Sequence, residues 1–205
     1  MAGSPAPRLV LASESPRRLD VLRQLGFAPE VQPADVDESY LPGESPSQHV
    51  ERLARAKAEA VARDHGADAI VIGGDTVVVD GPRVLVKPES EEAAVAMLRS
   101  LSGGEHEVLS GLALTHGGRT VSEVGRTTVR MRSFDDETAR LYVATGEPMD
   151  KAGGYGIQGL GASLVAGIDG DYYSVVGYPV GVFLDLLERV GWRFAFGTFT
   201  PSSSP

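Results

Sequence analysis

The sequence predicts a mixed α/β domain, with helices laid on a curved sheet, and three observations carry that reading. Apolar runs of strand length alternate with segments of helical periodicity from Leu9 to Val190. Turn signals at Asp80-Gly81 and His116-Gly117-Gly118-Arg119 place antiparallel hairpins mid-chain, which a regular doubly wound sheet lacks. No repeat or linker interrupts the 205 residues, so one domain over 1–197 is expected, with a polar, Ser- and Pro-rich tail at 198–205 lacking fixed structure.

The elements follow in order. Leu9-Val10-Leu11-Ala12 suits a buried strand. Ser15 offers an N-cap oxygen, Pro16 a preset first helical position, and Leu19, Val21, Leu22 and Leu25 an apolar stripe that Gly26 ends. Ser47 to Arg63 is helical, with Val50, Leu53, Ala54 and Lys57 on neighbouring turns. Ala69 to Val79 reads as a strand with a polar end, and Val84-Leu85-Val86 as its hairpin partner. Glu91 to Leu101 is a helix, His106 to Thr115 and Thr120 to Arg132 are paired strands, and Phe134 to Thr145 is again helical. Two short strands are expected over Ser163 to Val176, about Asp169-Gly170, before a last helix at Pro179 to Val190.

Composition narrows the classes of function. With 42% hydrophobic and 23% charged residues, 25 Gly and 13 Pro, the chain is neither disordered nor fibrous. The absence of cysteine excludes disulfides, thiolate zinc sites and a cysteine nucleophile. No apolar run reaches the roughly 18–20 residues of a membrane span, and the first dozen residues are too little for a signal peptide, so a cytoplasmic protein is expected. A formal net charge of −9 opposes binding to a nucleic-acid backbone. Small basic knots at Arg17-Arg18, Lys57, Lys87 and Lys151 suit a compact polyanion such as a nucleotide, or else are solvated surface charge.

Three segments carry chemistry. In Ser13-Glu14-Ser15-Pro16-Arg17-Arg18 a strand delivers hydroxyls and amides to a helix N-terminus, whose unpaired N–H groups and partial positive charge favour an anion. Two arginines in a first turn oppose the helix dipole, and a bound anion would offset that repulsion; a plain capped helix is the alternative. In Gly73-Gly74-Asp75-Thr76 an apolar strand presents a carboxylate beside glycines that admit a ligand, so Asp75 suits a general base or a Mg²⁺ ligand, or simply a turn. The third is Glu147 to Gly159, a long glycine-rich loop bearing Asp150, Lys151 and Gln158. Its formal G-x-G-x-x-G at Gly154, Gly156 and Gly159 follows no strand and meets no acidic residue about 20 positions on, so a Rossmann oxidoreductase is rejected. Neither a P-loop nor a nucleophile elbow is present. The four histidines (49, 65, 106 and 116) lack metal spacing. Asp37-Glu38 is either a solvated acidic pair or a second carboxylate for a metal shared with Asp75.

Together these segments resemble the Maf family, the septum-formation-inhibitor-like nucleoside triphosphate pyrophosphatases. The resemblance runs from Leu9 to about Leu187 through Leu11 to Arg18, Arg52-Leu53-Ala54 with Lys57-Ala58, Gly74-Asp75-Thr76, Lys87-Pro88, Leu101-Ser102-Gly103 with His106, the Glu147–Gly159 loop, and Val175-Val176-Gly177 with Pro179. The loop is similar to that of the branch acting on dTTP and UTP. The chain departs from the family pattern at Gly74, where Ala is common, at Val86, where Gly often precedes Lys-Pro, and at Tyr178, where Leu is commoner.

The resemblance implies an inosine-triphosphate-pyrophosphatase-like fold with a central cleft. It implies hydrolysis of the α–β phosphoanhydride to a monophosphate and pyrophosphate, a house-cleaning role, with Mg²⁺ or Mn²⁺ as cofactor. It matches Asp75 to the proton acceptor, Arg17, Thr76 and Gln158 to positions linked to substrate specificity, and Arg18, Lys57, Lys87 and Lys151 to the family's basic positions; with the Ser13 and Ser15 hydroxyls of the helix N-terminus, those four are expected to bind substrate phosphates. Glu38 matches the family's acidic residue after the second strand, and Asp75 and Glu38 are the expected metal carboxylates. It also implies a homodimer, while the net charge and the lack of a long apolar run lead us to expect no nucleic-acid or membrane partner. A nucleotide-binding regulator of septum formation, without essential hydrolysis, is the competing expectation.

Overall fold

The computed structural model describes residues 6–202. It contains nine strands: β1 (Arg8–Ala12), β2 (Glu30–Val31), β3 (Ala69–Asp80), β4 (Arg83–Leu85), β5 (Glu105–His116), β6 (Arg119–Met131), β7 (Val165–Asp169), β8 (Trp192–Phe194) and β9 (Phe199–Pro201). The helices are α1 (Pro16–Gln24), α2 (Pro46–Ala62), α3 (Glu91–Leu101), α4 (Asp136–Val143), α5 (Tyr172–Val176) and α6 (Val180–Arg189), with three 3₁₀ turns between Glu147 and Leu164. The main sheet runs β2-β1-β3-β5-β6-β7, with β4 on β3. It is mixed as expected: β1 pairs parallel with β2 and β3, while β3–β4 and β6–β7 are antiparallel.

Local rules explain most of these elements. Ser45 caps α2 through a reciprocal box with Gln48, and Pro46 fits the first turn because its missing N–H would have had no helical partner. Ser90 and Asp135 accept from backbone amides at the starts of α3 and α4. Gly117 (φ 56°) and Gly118 (φ 77°) supply the two left-handed positions that the β5–β6 turn requires.

The sequence suggests one domain without a linker. The chain packs as two compact units; three of their four boundaries fall inside the long strands β3, β5 and β6, the fourth directly follows α5, and no linker composition marks them. The first comprises residues up to Asp75, Ser110–Gly125 and Gly177 onward. Its core includes Val10, Ala12, Val61, Ala69 and Val71, and a small-residue contact among Ala54, Ala58 and Ala113. The second comprises Thr76–Leu109 and Arg126–Val176, with α3, α4 and the loop closed around Val78, Leu98, Val108, Val129, Tyr142, Tyr155 and Leu164.

Two expectations change. The second strand expected after Asp169-Gly170 is the helix α5, started by the Asp171 carboxylate, which accepts from the Tyr173 amide at 2.9 Å. That cap overrides the strand preference of Tyr-Tyr-Ser-Val-Val. Part of the expected tail is structured: β9 pairs with β8 and buries Phe199 against Phe27, ring centroids 4.7 Å apart. Residues 203–205 of the expected tail lie outside the described residues. Among the described residues no helix is long and apolar enough to cross a membrane.

Candidate functional site

The first unit builds its site on the approach of α2 to the sheet. Alanines 54 and 58 face Gly73 of β3, and Val50 faces Gly111 of β5, with no side chain between helix and strand backbones. A methyl on Gly73 would overlap the Ala54 carbonyl oxygen and lie 2.6 Å from the Ala58 nitrogen. That proximity lets Lys57, one residue before Ala58, reach Asp75, which lies in the middle of β3 and not at the strand end the sequence suggests. Its Nζ donates to Asp75 Oδ1 at 2.9 Å and pairs with Glu38 Oε1 at 2.7 Å.

Arg18 supplies the second buried cation. Its Nε donates to the Gly177 carbonyl at 2.9 Å and its Nη1 to Ser13 Oγ at 3.0 Å. Burial pulls the guanidinium below its ordinary pKa while the nearby Asp75 carboxylate opposes the shift; an arginine so placed stays charged at neutral pH. Ser13 Oγ also accepts from the Ser15 amide at 3.2 Å. Ser15 occupies the N-cap of α1 as expected, yet its hydroxyl makes no cap hydrogen bond. The anion-favouring end of α1 thus lies in the segment that holds the buried Arg18, with half-buried Arg17 beside it.

Glu38 sits on the segment before α2, and a side-chain clamp fixes that segment. Arg52 donates through Nε to Glu44 Oε1 at 2.6 Å and through Nη2 to Glu44 Oε2 at 2.9 Å, and Nη2 also reaches the Ser39 carbonyl at 2.9 Å. The Leu41 amide donates to the same carboxylate at 3.1 Å, and the Tyr40 ring stacks on His49 at 3.5 Å. The Arg52 hydrogen bonds hold the Glu44 carboxyl down at about 2, so the clamp stays charged at any ordinary pH.

A divalent cation would find two carboxylates among these groups. Among the described residues no cluster of three or more His, Asp or Glu forms a closed cage. Asp75 and Glu38 nevertheless provide two hard oxygen donors close enough to share one ammonium. Mg²⁺ is commonly held by one or two carboxylates plus substrate phosphates and water. The pair therefore fits a cation that arrives with a phosphorylated ligand, and does not fit a protein-only site.

The second unit holds the remaining expected residues: Thr76 follows Asp75 in β3, Lys87 is exposed after β4, and Lys151 and Gln158 lie on the loop. Lys151 is braced within that loop, donating to the Glu147 carbonyl at 2.5 Å and to Asp150 Oδ1 at 2.7 Å. Glu147 closes the loop by accepting from Tyr142 Oη at 2.9 Å and from the Leu160 and Gly161 amides at 2.9 and 3.0 Å. The half-buried Gln158 precedes the third 3₁₀ turn without capping it. Much of the loop's bracing thus falls to Glu147.

The loop's other anchor is Tyr155, whose hydroxyl lies 2.6 Å from His106 Nε2 in β5. His106 is 3% exposed, and its Nδ1 has no hydrogen-bond partner among the described residues. Burial lowers its pKa to about 4, against a smaller opposing pull from Asp80. The unfolded chain takes up this proton near the ordinary 6.5 and the folded chain only near 4, so stability is full above 6.5 and falls as pH drops through that window. Between pH 7 and 4.5 wild type should lose about 2 kcal/mol that His106→Gln does not. Thermal unfolding of both proteins at the two pH values checks this; equal losses would refute the assignment.

The sequence reading missed Glu44, Arg52 as a clamp, Glu147, Tyr142 and Tyr155. Only Glu44 left a signal, as an acidic residue just before the Ser-Pro cap of α2. The others act through partners 5 to 49 positions away, which no local pattern encodes.

Comparison with known proteins adds an independent line. The model of the family described as Maf-like protein matches residues 8–190. A Moorella thermoacetica protein named dTTP/UTP pyrophosphatase is 50% identical over 186 residues, covering 90% of this chain and 95% of the relative. Proteins of the same name from Koribacter versatilis (46% identical; 89% and 94% covered) and Vibrio cholerae (47%; 89% and 97%) match as broadly. Among solved structures, the Staphylococcus aureus Ham1 protein matches at a TM-score of 0.47 and 16% identity, covering 77% of this chain and 79% of that one.

Proposed function

The chain belongs to the Maf family, and from that premise we propose that it hydrolyses dTTP and UTP to the monophosphate and pyrophosphate, a house-cleaning activity in the cytoplasm. The observation that supports this reading is the grouping of Asp75, midway along β3, with two buried cations, Arg18 and Lys57. Such a site can bind polyphosphate and hold a carboxylate near the water that attacks it. The same name on three relatives at 46–50% identity points to thymine and uracil nucleotides.

Roles follow from charge and hydrogen-bonding capacity. Asp75 accepts the proton of the attacking water as the α-phosphorus gains an oxygen and the bridging oxygen leaves with pyrophosphate. Arg18 and Lys57 meet the charge that grows on the phosphates, and Ser13, Ser15, Lys87 and Lys151 are assigned to substrate binding. A divalent cation held by Asp75 and Glu38 would neutralise phosphate charge and polarise the phosphorus. Arg17 and Thr76 are assigned to specificity with Gln158. A homodimer belongs to the same proposal.

Base choice tests the reading most directly. Thymine and uracil offer an N3–H donor beside an O4 acceptor, and one amide can meet both; cytosine reverses the pattern. Leaving a buried polar edge unpaired costs about 1–3 kcal/mol, roughly ten- to a hundredfold in kcat/KM. Wild type should release pyrophosphate from dTTP and UTP well above CTP and GTP, and Gln158→Ala should erase most of that preference. Orthophosphate as first product, or tight nucleotide binding without turnover, refutes the pyrophosphatase. Equal slowing of Gln158→Ala on all four nucleotides refutes base reading.

A further inference from the structure

We infer that Lys57 is an exchangeable counter-cation: its ammonium holds the position between Asp75 and Glu38 that a divalent cation needs, and yields it only when a nucleotide offers the ammonium new phosphate partners. The inference rests on the proposed function above, and it adds a coupling that the reaction alone does not require.

The geometry sets the conflict. Nζ lies 2.7 Å from Glu38 Oε1 and 2.9 Å from Asp75 Oδ1. A Mg²⁺ or Mn²⁺ ion bound to both oxygens would sit about 2.1 Å from each, in the space the ammonium fills. Two cations cannot share that space, so metal entry requires Lys57 to leave. The Lys57 side chain is only 10% exposed, and an ammonium displaced there without an anion would be an uncompensated, largely buried charge. Phosphate oxygens remove that penalty. Metal binding to the free protein is therefore weak, and nucleotide strengthens it; by reciprocity, metal strengthens nucleotide binding by the same factor.

The residue types suit an exchange. Lysine carries a compact charge on four rotatable methylenes and can turn from carboxylate to phosphate, where the planar fork of arginine would lock. Glu38, with a side chain 61% exposed, gives an incoming complex a carboxylate at the solvent edge, while Asp75, at 15%, stays within. The Arg52–Glu44 clamp, bonded to the Ser39 carbonyl, keeps the segment bearing Glu38 in place during the exchange.

Mn²⁺ alone is the probe. Its binding to the full chain, without nucleotide, can be followed by the electron paramagnetic resonance signal of the free ion. Wild type should bind weakly, and Lys57→Met on the order of tenfold more tightly, because the competing cation is gone. Lys57→Gln, which keeps a polar group at the site, should tighten binding in the same direction and serves if Lys57→Met does not fold. Without metal both variants should melt below wild type, because the ammonium that lies against both carboxylates is gone, and Mn²⁺ should raise their midpoints more than that of wild type. Unchanged or weaker Mn²⁺ binding in both variants, beside a wild type that releases pyrophosphate, overturns the exchange and leaves the proposed function standing. A wild type that releases none overturns the function itself.

Discussion

Asp75→Asn is expected to lower pyrophosphate release from dTTP and UTP by about a thousandfold while the protein stays folded. The amide is nearly isosteric with the carboxylate and its oxygen can still accept from Lys57, which in wild type donates to Asp75 Oδ1 at 2.9 Å. An amide cannot take a proton from water, and a general base typically contributes 10²–10⁴-fold. A thousandfold loss corresponds to about 4 kcal/mol in the barrier. Nucleotide binding should fall far less, because Arg18 keeps its bonds to the Gly177 carbonyl and Ser13. Steady-state rates with thermal melting of the same preparations decide the matter. Activity within tenfold of wild type would remove Asp75 from the role of base, and a matching collapse in melting temperature would show that the variant reports folding.

What could be read from the chain, and what could not, follows from the range of the interactions. The Ser13–Arg18 segment, Asp75 and the loop stood out because each breaks a local preference: arginines in a first helical turn, a carboxylate beside paired glycines, a long stretch without regular structure. The helix α2 announced itself through Val50, Leu53, Ala54 and Lys57 on neighbouring turns, although its Ser45 cap, two residues before the expected start, went unread. By contrast, Lys57 reads only as a basic residue suited to a polyanion, and its ion pairs with Asp75, 18 positions on, and Glu38 appear only in the fold. His106 reads as an isolated histidine until Tyr155 is placed against it. The β8–β9 hairpin was missed for the same reason, since Phe199 is buried by Phe27 and a Ser- and Pro-rich composition conceals it. Chemistry left a local mark where it strained a local rule, and left none where ordinary residues were brought together by the fold.

Gly73→Ala is expected to be among the most damaging single substitutions available in this protein, although it adds one methyl group. That methyl would overlap the Ala54 carbonyl oxygen and lie 2.6 Å from the Ala58 nitrogen, both backbone atoms of α2. A side-chain neighbour could rotate away, but a helix backbone must move as a body. The neighbouring contact resists that movement, because a methyl-free Gly111 also lies against α2, where an added Cβ would come 2.6 Å from the Val50 carbonyl carbon. Overpacking usually costs about 1–3 kcal/mol, and backbone against backbone belongs at the top of that range. For a chain of this size about 3 kcal/mol corresponds to a loss of roughly 10 °C in melting temperature. Function should fall further than stability, since lifting α2 draws Lys57 away from Asp75. Gly74→Ala is the control: its methyl would meet Arg18 Nε at 3.2 Å and the Gly111 carbonyl at 3.3 Å, contacts that a few tenths of an ångström relieve, and the cost should stay within about 1 kcal/mol. Melting curves and pyrophosphate release for the two variants give the comparison. Equal effects from Gly73→Ala and Gly74→Ala would mean that the close seating of α2 on β3 is not what sets the position of Lys57.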